Sequence, residues 1–195
     1  MQVLEAIRTR RSIGKTTDQV PTREQINLLL EAATWAPNHH LTIPWRFVVV
    51  AGDVRAEFGR ITSASKLRRM QAEGRDITGE EEALIRKAFR APVIIAVCIE
   101  PAENVPESDE IAAGAAATQN VLLAAHALGL AAIWRTGDGS RDPDVVRWLG
   151  LSERAKVVGF VYVGYPAVTK ERSKHIPFDQ LTEWRGWGDD PGNGH

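Results

Sequence analysis

Three short stretches combine residue types that can carry chemistry, and one of them suits a planar anionic ligand. Arg10-Arg11-Ser12 sets two guanidinium groups beside a hydroxyl, and such forked donors match phosphate oxygens. The plainer reading is that cations just past a helix complement its dipole and are otherwise solvated. Trp134-Arg135-Thr136-Gly137-Asp138-Gly139 ends a short apolar run with an aromatic ring, a cation, a hydroxyl and two glycines. Loops at strand ends are where α/β-type proteins often place ligands, although a strand-end Trp packed on the core before an ordinary turn has the same sequence. In Trp35-Ala36-Pro37-Asn38-His39-His40 the paired histidines hint at a metal. Neighbours on one element point apart, however, and no nearby Cys, Asp or Glu completes a ligand set. A loop histidine that hydrogen-bonds a ligand or a partner chain is the better reading.

Other chemistries find no motif. There is no G-x-S-x-G, no P-loop and no G-x-G-x-x-G opening a helix. Cys98 sits inside a continuous apolar run, where a buried thiol is inert. Glu107, Asp109 and Glu110 open an Ala-rich helix, where first-turn acids favour the dipole.

The elements that must position these residues follow from periodicity and punctuation. Val3, Leu4 and Ile7 have helical spacing and lead into the basic run from Arg8. Thr22 and Gln25 form a capping box ahead of a stripe made by Ile26, Leu29, Leu30 and Ala33. Four short runs, Trp45–Ala51, Pro92–Ile99, Leu130–Arg135 and Lys156–Val163, read as strands. The second is apolar throughout, as a strand covered on both faces should be. Residues 53–89 read as two helices around a polar stretch, charged enough to suggest an exposed lid rather than core. The helix from about Glu107 to Leu128 carries small residues that let another backbone approach, a second copy of the chain included, and it stops at Gly129. Helices between most of four or five strands predict an α+β or α/β domain.

The chain has 195 residues, a formal net charge of −1, 24 Lys and Arg against 25 Asp and Glu, and 44% hydrophobic residues. That length predicts one domain with a core of its own, over residues 1–185, followed by a loose Gly- and Asp-rich tail at 186–195. The charge balance argues against a nucleic-acid binder. No apolar stretch approaches the ~20 residues that span a bilayer. An acidic N-terminus without a secretion-signal pattern and a single cysteine predict a soluble, cytoplasmic protein.

These stretches occur together in one order. The chain resembles the nitroreductase family of FMN-dependent oxidoreductases, and more closely its short branch named for NAD(P)H-dependent nitroreductases. The resemblance rests on Arg10-Arg11-Ser12, Ala36-Pro37-Asn38-His39 leading to Pro44-Trp45-Arg46-Phe47, Arg90-Ala91-Pro92-Val93, the helix before Gly129 with Trp134-Arg135-Thr136-Gly137, and Val158 to Pro166. It covers roughly residues 2 to 178. It implies an α+β nitroreductase-like fold, with a central, mostly antiparallel sheet of four to five strands flanked by helices, in an intertwined homodimer with FMN at the interface.

The resemblance assigns FMN contacts to Arg10, Arg11 and Ser12, to Trp134, Arg135 and Thr136, and to Trp35 and His39 of the second subunit. Ala124 to Gly129 matches a segment assigned to nicotinamide binding. Close relatives carry an arginine where this chain has Trp35, and a Trp can stack but cannot make a guanidinium contact. Lys170, Arg172 and Lys174 lie where larger relatives place a basic pair for the phosphate. The expected chemistry is ping-pong hydride transfer from NADH or NADPH through flavin N5 to a small-molecule acceptor such as a nitroaromatic or quinone, with no catalytic side chain and no metal. The alternatives are a flavoenzyme of the same fold with other chemistry (an ene reductase, a dehalogenase or a flavin-consuming enzyme) and a non-enzymatic flavin-binding protein.

Overall fold

A four-stranded antiparallel sheet organises the described residues, 1–171 and 175–186 of the computed structural model. The tail beyond Gly186, with Trp187, and the bases Arg172 and Lys174 lie outside them. The strands are β1 (Trp45–Ala51), β2 (Val93–Ile99), β3 (Ala131–Arg135) and β4 (Lys156–Gly164), in the order β1-β2-β4-β3. β2 is central, and none of its residues is more than 2% exposed, which accounts for its unbroken apolar run. The register between β2 and β4 slips at Val97/Cys98, so that Val158 is left without a partner in β2.

One sheet face is covered by α2 (Arg23–Thr34) and α5 (Glu107–Ala127), which bury Ile26, Leu29, Ala117 and Val121 against Ile95, Val97 and Val161. The expected capping box starts α2: Gln25 N–H donates to Thr22 Oγ1 at 3.2 Å, and Thr22 N–H donates to Gln25 Oε1 at 3.0 Å. Such a cap contributes about 1 kcal/mol. The small residues of α5 seat it on its own sheet. A Cβ on Gly114 would meet Val158 and Ile99, the latter at 3.0 Å. α1 (Val3–Thr9) is tied to the far end of α5 by Thr9 Oγ1 and His126 Nε2 at 2.8 Å.

The other face corrects the lid expected at 53–89. α3 (Val54–Ala72), with the short α4 (Glu80–Ile85) and the 3-10 turn Arg86–Arg90, is the second covering layer, joined by α6 (Pro143–Trp148). Phe58 packs edge-on to Phe160 at 5.0 Å and lies 5.9 Å from Trp148. Charge density misled here because α3 turns only a narrow stripe inward, with Phe58, Gly59, Ser63 and Met70 buried, and keeps its many charges in water. Among the described residues no helix is long and apolar enough to cross a membrane.

Candidate functional site

α1 ends at Thr9, and the chain then leaves in extended form along the free edge of β3. Ser12 bridges Ala132 in parallel, Ile13 N–H donates to Ala132 O at 3.1 Å, and Thr17 N–H donates to Tyr165 O at 2.9 Å. This edge ribbon is what brings Ser12 to the end of β3. Ile133 and Arg135 alternate with Ala132 and Trp134 along that strand, so the two pairs face opposite layers. Arg135 therefore points to the α3 side, its guanidinium 5.8 Å above the Tyr162 ring. A Cβ on residue 14 would meet Arg135 Nη2 at 3.0 Å, so Gly14 leaves the room that the guanidinium uses.

Ser12, Lys15, Phe89, Arg90, Arg135 and Lys170 line a groove of about 530 Å3, with Gly14 and Ile133 in its wall. Among the described residues no carboxylate lines it. Lys170 Nζ donates to Ser12 O at 3.3 Å, and Arg135 Nε is buried without a partner. The arginine pair divides its work. Arg11 Nη1 donates to the carbonyls of Arg8 at 2.9 Å and Arg10 at 2.8 Å, closing the end of α1. Arg10 instead makes a 3.4 Å bond from Nη1 to Ser12 Oγ. Burial, and then the charge of Arg11, pulls the Arg10 guanidinium below the ordinary arginine value.

The structure thus joins Arg10, Ser12 and Arg135, and it places the other expected residues elsewhere. Trp134 faces the α5 side, where its indole N–H donates to Val158 O at 3.4 Å across Gly159, which has no side chain to obstruct the ring. Thr136 is exposed beyond Arg135, bordering a second cleft against α3. Trp35 is 79% exposed at the C-cap of α2, and His39 is exposed in the 3-10 turn leading to β1. β1 is the opposite sheet edge, three strand spacings or roughly 14 Å from β3. Ala124–Gly129 is the last turn of α5 and its stop, with Gly129 at φ 73°.

The loop carrying His39 is itself held under strain. His40, Leu41 and Ile43 have φ of 48°, 54° and 50°, which side chains rarely adopt. Glu110, fully buried, accepts from Thr42 Oγ1 at 3.0 Å, and Asn38 Oδ1 accepts from Ile43 N–H at 3.0 Å. Sequence reading took Glu110 for a dipole acid, and only the fold reveals it as the anchor of this loop. It also missed Lys15, Phe89 and Arg90 as groove residues, and only their charge and ring could have flagged them. Burial pushes the Cys98 thiol up to about 12, with Glu100 adding to the shift, in keeping with an inert cysteine. Among the described residues no cluster of His, Cys, Asp or Glu could hold a metal ion.

A four-stranded antiparallel sheet between helical layers, with a basic groove at its β3 edge, is the frame of an anion-binding α+β protein. Residues 7–165 match the Nitroreductase family, and the chain belongs to it. It is 33% identical over 183 residues to the "Putative NAD(P)H nitroreductase YdjA" of Escherichia coli K12, covering 91% of this chain and 95% of the relative. Among solved structures, a "putative nitroreductase in complex with FMN" from Desulfovibrio desulfuricans is 31% identical with a TM-score of 0.74, covering 96% of this chain and 99% of that one. A nitroreductase with bound FMN from Bacteroides fragilis is 26% identical with a TM-score of 0.71, covering 95% of this chain and all of that one.

Proposed function

We propose that this chain is an FMN-dependent oxidoreductase that uses NADH or NADPH to reduce a nitroaromatic, quinone or similar acceptor. The observation that carries the reading is the groove, where Ser12 and Lys15 of the edge ribbon meet Arg90, Arg135 and Lys170 with no carboxylate among the described lining residues. Family membership and the FMN complexes of relatives support it. The donor set fits the cofactor. FMN ends in a phosphate dianion, which Arg10, Ser12 and Lys170 would hold through charge-assisted bonds. Phe89 and Ile133 supply apolar wall for a flat ring, and Arg135, with a buried Nε and no partner, supplies a donor beside it. Bound FMN would supply the redox chemistry, taking hydride at N5 and passing it on in a ping-pong cycle.

The chain's own part is to hold, orient and shield. Arg11 secures the α1 end and so aims Arg10. Trp134 locks the end of β3 from the opposite face and so fixes where Arg135 and Thr136 emerge. Cations beside the ring favour the more negative, reduced cofactor. Trp35 and His39 cannot reach this groove from the opposite sheet edge of the same chain, so we assign them to the site of a second copy, in a homodimer. Exposure of Leu41 at 80% and Ile43 at 61% beside them supports a covered face. Residues 1–185 are read as one domain acting in the cytoplasm.

The visible spectrum of the purified protein tests the reading. Flavin absorption, bleached by NADH or NADPH and restored by an acceptor, is expected. A colourless protein that takes up no added FMN overturns it.

A further inference from the structure

Glu110 is fully buried in α5, and the partners of its two oxygens are uncharged: Thr42 Oγ1 donates to Oε2 at 3.0 Å and Ala102 N–H to Oε1 at 3.5 Å. A buried carboxyl group with neutral partners is costly, and an apolar side chain of similar size would spare the fold that cost. What the carboxyl group supplies is geometry, since its two oxygens reach the loop ahead of α5 and the turn ahead of β1 together. That turn has to be held. His40, Leu41 and Ile43 lie in the left-handed backbone region, and for a β-branched residue such as Ile43 this is a genuine outlier. Such a backbone persists only where its surroundings over-determine it. Thr42 is the half-buried residue of the turn, whereas His39, His40, Leu41 and Ile43 are exposed.

The sheet does not need this strain. The start of β1 is fixed independently, by the Trp45 indole N–H donating to Ala113 O at 3.0 Å and by Glu100 N–H donating to Pro44 O at 2.8 Å. The Thr42 contact therefore serves what the turn exposes rather than the strand it precedes. We infer that Glu110 is a positioning residue for the flavin site of the second subunit: through Thr42 it fixes the strained turn in the shape that presents His39 across the interface. This role rests on the flavin and homodimer reading above. It places the effect of Glu110 and Thr42 in the partner's site and not in the groove of their own chain, so the same contact acts where Arg10 of the other copy binds.

The test is complementation between subunits, read as FMN stoichiometry at a concentration set between the wild-type and variant affinities. Thr42→Val keeps the side chain's shape without the hydroxyl, and it should weaken FMN about tenfold, the loss of one hydrogen bond to a charged group. Thr42→Ser keeps the hydroxyl and should stay within about threefold of wild type. Mixed with Arg10→Ala subunits, Thr42→Val subunits should restore about a quarter of the sites, since about half of randomly paired dimers then hold one site with neither defect. Mixed with His39→Ala subunits they should restore none, because every site then takes a damaged turn. A defect confined to the chain's own groove gives the reverse in both mixtures and overturns the inference, as does wild-type FMN affinity in Thr42→Val. If Thr42→Val does not fold, Thr42→Val with Glu110→Met removes the buried carboxyl group along with the contact and takes its place in both mixtures. Wild-type protein that takes up no FMN brings down the flavin reading and this role with it, whereas FMN uptake with either contrary result overturns the role alone.

Discussion

Arg10 and Arg11 are neighbours of identical chemistry, yet the structure predicts opposite consequences for losing them. Arg11 is committed to two backbone carbonyls at 2.8 and 2.9 Å, whereas among the described residues the side-chain partner of Arg10 is Ser12 Oγ at 3.4 Å. Half-buried beside the hydroxyl, Arg10 remains able to meet a phosphate. A charge-assisted contact of that kind contributes about 1.5–3 kcal/mol, or roughly 10- to 150-fold in affinity. Partial exposure screens the pair, so the low end of about tenfold is expected for Arg10→Ala. Arg11→Ala should instead cost about 1 kcal/mol of stability, through the two carbonyls it leaves at the end of α1, and change FMN affinity less than about threefold. The assay is quenching of FMN fluorescence on titration with apoprotein, repeated with riboflavin, which lacks the phosphate. Arg10→Ala should weaken FMN and leave riboflavin unchanged. Equal loss of both ligands, wild-type FMN affinity in Arg10→Ala, or a larger FMN defect in Arg11→Ala would refute the division of labour.

Further outcomes follow from the same contacts. Mixing His39→Ala subunits with Arg10→Ala subunits should restore about a quarter of the sites, because half of randomly paired dimers hold one intact site of two; FMN stoichiometry after subunit exchange measures this, and no recovery refutes the shared site. Gly159→Ala should drive a methyl group into the Trp134 indole and towards Arg135 O at 2.9 Å, costing about 1–3 kcal/mol in denaturant unfolding. Asp142, the buried N-cap of α6, accepts from Ser65, Asp144 N–H and Arg68. Burial pushes its carboxyl up, but those three partners together outweigh burial and hold it below the usual aspartate value. A depressed carboxyl stabilises the fold above its unfolded value near pH 4 and loses that contribution as pH falls towards the folded one. Asn caps a helix as well as Asp does, so Asp142→Asn should lose only the charge paired with Arg68, costing up to about 1 kcal/mol at pH 7 and shrinking at about pH 3 and below, as unfolding curves at the two pH values would report.

Sequence patterning was a good guide wherever a residue's environment is set by its near neighbours. The capping box at Thr22 and Gln25, the stop at Gly129 and the fully buried β2 all depend on local spacing, and all appear where spacing puts them. The motif that carries the family resemblance was also legible, because Arg10 to Ser12 keeps its residue types in order along the chain. The 53–89 region was misjudged because composition averages over a helix, while packing uses only the stripe with Phe58 and Met70.

What composition and spacing could not convey is which distant segments meet. Pairing of the 12–13 ribbon with β3 is a contact across about 120 residues, and it alone places Ser12 beside Arg135. Strand alternation then turns Trp134 and Arg135, adjacent in sequence, to opposite layers. Sheet order puts β1, into which the His39 turn leads, the full width of four strands from the groove. The amino-acid sequence by itself determined the elements and the central strand, since these follow from side-chain type and period, and its ordered motifs carried the family resemblance that implies FMN. Only the tertiary structure decided that Arg10 turns to the Ser12 hydroxyl while Arg11 closes a helix, that Glu110 anchors a strained loop, and that five cations share one cleft. Those are facts about distances in space, and they arise only when strand pairing and layer packing bring remote residues within a few ångströms of one another.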